Sequence, residues 1–141
     1  MGQAAGYSGT PLARKLGIAS GGTVLLDGVP AGFSVPDLPP DVLLHRRVGR
    51  GPYDVIVCFC PSTARLQRRW PVLHPRTSAA GALWIAWPKR SSGVPTDLDE
   101  NLVRDYALRH GRVDVKVCAV DAVWSALKHV IRLVDRPTPT P

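Results

Sequence analysis

The sequence predicts a three-layer α/β sandwich, in which a mainly parallel sheet is followed by a C-terminal antiparallel hairpin. Three observations lead to it. Two runs, Tyr53–Cys60 and Ala82–Trp87, are almost continuously apolar, as strands are when helices cover both faces of their sheet. Segments with helical spacing follow each run, the alternation that parallel pairing requires. Residues 113–120 and 126–133 alternate or nearly so, and the short connection at 121–125 joins them as a hairpin at the sheet edge.

The elements follow in order. Residues 1–10 are rich in glycine and serine and predict a flexible N-terminus. Leu12, Leu16 and Ile18 space as one side of a short helix, with Pro11 in its first turn and Gly17 as its stop. Thr23–Leu26 reads as a buried strand. Pro30, Pro36, Pro39 and Pro40 exclude a long helix from 28–41, which is a loop leading to a second strand at 42–45. After the strand at 53–60, Ser62 or Thr63 caps a helix that Pro71 and Pro75 limit or kink. Pro88 closes the strand at 82–87, and 89–95 is a loop. Thr96 with Asp99, or Asp97 with Glu100, then forms a capping box. The helix it opens carries Leu98, Leu102, Val103, Tyr106 and Ala107 on one face and ends at Gly111. One domain thus spans 11–135, and the proline-bearing residues 136–141 predict a disordered tail.

Composition narrows the function classes. The chain has 141 residues, enough for one domain, and 18 basic against 11 acidic residues give a formal charge of +7. Much of the excess lies at Arg65, Arg68, Arg69 and Arg76. Only Trp70 is interleaved with them, so the pattern reads as a solvated helix face rather than a stacking platform for nucleic acid. Three cysteines, two of them inside an apolar run, argue for a reducing compartment. No signal-peptide pattern or membrane-length apolar stretch is present, and a cytoplasmic location is expected.

A classical cofactor site needs a glycine-rich turn that lets a helix N-terminus face the ligand. Asp27-Gly28-Val29-Pro30-Ala31-Gly32 echoes such a turn only weakly, and the prolines that follow leave no room for the helix. No cofactor is therefore expected. Cys58 and Cys60 point to one face of a strand, and His45, His74, His110 and His129 show no ligand spacing, so no metal is expected. Cys60, at a strand end, is the one cysteine placed for nucleophilic work, but nothing assigns it or any other residue a catalytic role.

The stretch with most chemistry is Trp87–Leu98. It starts where a central strand ends and stops at a helix N-terminus, the places where α/β sheets put ligand crevices and anions. Lys89, Ser92, Gly93 and Thr96 supply charge, hydroxyls and flexibility for a small anionic ligand. Asp97 either joins that site or fills it as a helix cap. Tyr7, Ser8 and Thr10 bring more specified chemistry than a tail needs. Lys116, Asp121 and Trp124 stand on or beside the hairpin, where Lys116 could instead pair with Asp114 or Asp121.

Strands, helices and hairpin in this order make the fold Rossmann-like. The order resembles the C-terminal half of the class I methyltransferase fold, where a final antiparallel strand inserts beside the last parallel ones. GYSGTPLARKLGI (6–18), WPKRSSGVPTDL (87–98) and VKVCAVDAVWSALK (115–128) also resemble a family of small bacterial proteins, common in actinobacteria and described only as a domain of unknown function. Arg14 and Arg90 stand where that family usually has lysine. The resemblance implies a shared site at Tyr7, Ser8, Thr10, Lys89, Ser92, Thr96, Asp97, Lys116, Asp121 and Trp124, without naming a reaction. The best reading is a domain that binds a small anionic ligand at loop 87–98. One alternative is a small-molecule enzyme using the same rim, with Lys89 or Lys116 stabilising charge and Asp97 or Asp121 as acid or base. Another is a protein or nucleic-acid interaction domain working through the Arg65–Arg76 helix. The free edge of the hairpin could also pair two copies into a homodimer.

Overall fold

The apolar runs become six strands of one mixed sheet in the computed structural model, which describes residues 9–137. The strands β1 (Thr23–Asp27), β2 (Leu43–His45), β3 (Tyr53–Phe59) and β4 (Thr77–Pro88) pair in parallel. The hairpin of β5 (Val113–Ala119) and β6 (Trp124–Val130) completes a sheet of order β2-β1-β3-β4-β6-β5. The antiparallel hairpin lies at one edge of the sheet, as its sequence pattern predicts. β6 inserts between β4 and β5, antiparallel to both, and only β5 lies at the edge. Burial explains which of the two strands is outermost. β6 carries the buried Ala126, Leu127 and His129, whereas β5 exposes Asp114 through Val117. An apolar strand gains by being covered on both faces, and a charged one keeps an edge soluble.

Alternation along the strands divides the core between the two faces. Leu25, Ile56, Leu83 and Ile85 face α2 (Thr63–Leu73) and α3 (Glu100–Arg109), which contribute Leu66, Trp70, Leu73, Val103 and Ala107. Val24, Leu26, Val55, Val57 and Trp84 face α1 (Leu12–Lys15) and the loop that follows β1. The fully buried Trp84 needs a partner for its indole N–H and donates it to the Leu16 carbonyl at 3.1 Å, which pins α1 to the sheet.

Three local expectations are revised. β4 starts at Thr77, well before the apolar run at 82–87. Thr77 pairs with Tyr53 and Ala82 with Val55, so Ser78, Ala79, Ala80 and Gly81, which have little strand preference of their own, form a bulge between the two paired positions. Pro71 does not end α2, which continues to Leu73. The lost backbone bond falls on the solvent side, where Gln67 and Pro71 are exposed and water can replace it. The cap of α3 is Asp99, whose carboxylate accepts the Leu102 N–H at 2.8 Å, rather than Thr96 or Asp97.

Candidate functional site

The carboxyl ends of β1, β3, β4 and β5 lie along one edge of the sheet, and most of the residues singled out in the sequence gather there. The loop after β4 is tied to the hairpin turn by the Lys89 N–H, which donates to the Val123 carbonyl at 2.7 Å. Within the loop, the Ser92 hydroxyl donates to the Lys89 carbonyl at 2.6 Å and accepts the Val94 N–H, and Thr96 accepts the Leu98 N–H. Gly93 ends a 3-10 turn at φ 77°, which favours glycine. The hydroxyls of the loop thus serve its own shape.

Asp97 acts elsewhere. Its carboxylate accepts the Thr63 N–H at 2.7 Å, at the first residue of α2 rather than of its own helix. That backbone bond holds the Asp97 carboxyl below the usual carboxylate range. The positions a ligand anion would take at the starts of α2 and α3 are therefore held by Asp97 and Asp99.

The other predicted residues are dispersed. Trp87 is buried among the residues facing α2 and α3. Lys116 is exposed on β5 and lies opposite Lys128, and neither Asp114 nor Asp121 pairs with it. Asp114 pairs with Arg104 at 3.0 Å instead. Asp121 accepts the Val123 and Trp124 N–H groups, both at 2.8 Å, and so shapes the hairpin turn. Thr10 is half-buried just before α1, while Tyr7 and Ser8 lie outside the described residues.

A cleft of about 600 Å³ opens between the hairpin turn and the loop after β1, lined by Leu12, residues 30–34, Pro36 and residues 120–124. Its walls are aromatic. Phe33 and Trp124 both meet the buried Phe59 edge-on, with ring centroids 5.1 and 5.2 Å away. Trp124 is the one predicted residue placed to present a face to a ligand here, with Asp121 beside it. The sequence signal for Phe33 is only its position after a proline- and glycine-bearing turn at a strand end.

The strongest polar constellation is one the sequence does not announce. Asp27, at the end of β1, is 5% exposed and receives two arginines from α2. Arg65 Nη2 donates to it at 3.1 Å, and Arg69 binds both oxygens through Nε and Nη2 at 3.0 and 2.9 Å. Arg65 also donates to the Phe59 carbonyl, and Arg76 to the Val72 carbonyl. The helix whose arginines read from sequence as a solvated face therefore turns two of them inward. Gly28 is required beside them. It has φ +68°, and a Cβ there would lie 2.3 Å from Arg65 Nη2.

Cys58 and Cys60 lie under the same helix, both fully buried, with sulfurs 3.4 Å apart. The hydrogen bond to Cys60 and burial push the Cys58 thiol well above its usual range, which opposes the thiolate that nucleophilic attack needs. Among the described residues no group of three or more His, Cys, Asp or Glu is placed to hold a metal ion. No helix among them is long and apolar enough to cross a membrane. Comparison with known proteins returns no match to a family model, a curated protein or a solved structure.

Proposed function

We propose that this chain is a Rossmann-like domain that binds a small molecule along the carboxyl edge of its sheet. The ligand's planar or apolar body occupies the cleft beside Trp124, and an anionic group extends toward loop 89–98. The observation that carries this reading is the cleft itself: concave, aromatic-walled and at the strand ends where α/β sheets place ligands. The three-layer architecture is supported by the parallel pairing of β1–β4, by the antiparallel β6 set inside β5, and by apolar clusters on both faces. The anionic part is supported by charge alone. Lys89 and Arg90 stand where the loop meets the hairpin turn and make no ion pair among the described residues.

Thermal shift against adenosyl, nicotinamide and phosphate compounds tests the reading, since a ligand that favours the folded state raises the melting temperature. At least one ring-bearing compound should raise it, and Phe33→Ala combined with Trp124→Leu should abolish the response. No response to any ring-bearing compound, or a response to a phosphate-free ring compound that survives the double substitution, would sink the proposal.

A further inference from the structure

Arg112 stands at the opposite edge of the sheet, immediately before β5, and is 1% exposed. Its Nε donates to His74 Nδ1 at 2.9 Å, but Nη1 and Nη2 are buried without a hydrogen-bond partner among the described residues. Trp70 Nε1 and His129 Nε2 share that condition and the same layer, with Trp70 stacked on His74 and edge-on to His129. His129 Nδ1 faces the Leu83 carbonyl at 3.1 Å and so carries the ring proton, which leaves Nε2 as an acceptor. The orphaned groups are thus mostly donors.

Charge makes the imbalance more telling. Burial lowers Arg112 to about 10, so it remains a cation at neutral pH. Among the described residues no carboxylate forms an ion pair with it: Asp114, two residues on, pairs with Arg104, and Asp135, which lines the adjoining cavity, pairs with Arg132. A buried cation without a counter-charge is among the costliest arrangements a fold can hold. A water molecule would satisfy an orphaned N–H, but it would not neutralise the guanidinium.

A cavity of about 190 Å³ adjoins this arginine, lined by Leu108, Gly111, Arg112, Val113, Arg132 and Asp135. Arg136 is near enough for its charge to act on Arg112. Two guanidiniums, Arg112 and Arg132, therefore line a space with one carboxylate, Asp135, and the charge of a third arginine is close by. We propose that this cavity binds a small oxyanion, a carboxylate or phosphate group, with the planar fork of Arg112 as principal donor and Arg132 as second charge. A guanidinium fork matches two oxygens of either group. Binding exchanges the exposed Arg132–Asp135 pair, which contributes little, for a pair shielded from water. Because the Nη atoms have no solvent-accessible surface, the wall must yield slightly. The turn carrying Arg132 and Asp135 can do so, since its Leu133 and Val134 are 79% and 80% exposed.

The test compares inorganic phosphate, sodium acetate and sodium chloride at equal ionic strength, by thermal shift and calorimetric titration of the full chain. Phosphate or acetate should raise the melting temperature by about 5 °C at tenfold over Kd, and the larger response identifies the preferred oxyanion. Arg132→Ala, a surface change, should weaken binding about tenfold, and Arg112→Lys should remove it; should the latter not fold, the former decides. Phe33→Ala with Trp124→Leu should leave the response intact, which separates this site from the cleft. Equal melting in the three salts would overturn the proposal. So would a response unchanged in the arginine variants, or phosphate-grown crystals with only water or Asp135 against Arg112.

Discussion

Asp27 anchors the α2 face of the sheet at a single point. Its two oxygens hold Arg65 and Arg69, and Cys58 Sγ lies 3.5 Å away. Asp27→Asn would leave two half-buried guanidiniums without a counter-charge. The expected cost is about 2–3 kcal/mol, below that of a fully buried pair because both arginines keep some contact with solvent. Urea denaturation measures it, and a cost under about 0.5 kcal/mol would reduce the cluster to surface decoration. Gly28→Ala should act on the same cluster by driving Arg65 off Asp27, and it adds left-handed backbone strain. None of this was legible in sequence, because an Asp at a strand end and arginines 38 and 42 residues later meet only through the fold. The sequence placed Arg65 to Arg76 on one helix, whereas α2 ends at Leu73 with Arg76 in the turn beyond it, and it gave no sign that Arg65 and Arg69 turn inward.

At the scale of elements, loop 89–98 works as a clamp between helices. Asp99 caps α3 directly, and Asp97 reaches across to the first N–H of α2. The two acids therefore separate in their effects. Asp99→Ala should cost about 1 kcal/mol of global stability, the usual value of an N-cap. Asp97→Ala should speed hydrogen exchange at the Thr63 amide while leaving the amides of α3 protected. Equal effects of Asp97→Ala on both helices would show that it acts through the loop rather than through the bond to Thr63. A helix start was readable around residues 96–100, but the expected capping box does not form: Asp99 caps alone, because the N3 position is Leu102. Thr96, Asp97 and Asp99 are all acceptable caps locally, and the approach of α2 selects among them.

For the whole molecule, acid should be destabilising through buried histidine. Burial pushes His129 down to about 4, against an ordinary value near 6.5. Between these values the unfolded chain binds a proton that the folded one refuses, so stability falls as pH drops from about 6.5 to about 4. The full effect is roughly 3 kcal/mol. His74, lowered by burial and by Arg112, acts in the same direction. Denaturant midpoints between pH 7 and 5 should therefore fall more steeply for the native chain than for His129→Gln. Parallel curves would place the acid sensitivity elsewhere.

What the sequence by itself determined is the set of elements: continuous apolar runs for β3 and the core of β4, helical spacing for α2 and α3, alternation for the hairpin. These are local patterns with periods of two or nearly four residues, written in neighbouring positions. Only the tertiary structure decided that β6 enters the sheet ahead of β5, that Trp87 packs in the core while Trp124 walls a cleft, and that Asp27 and Arg112 hold buried charge in opposite ways. Each of those outcomes depends on which distant residues share a face. Burial and charge compensation are properties of such meetings, and no single stretch of chain contains them.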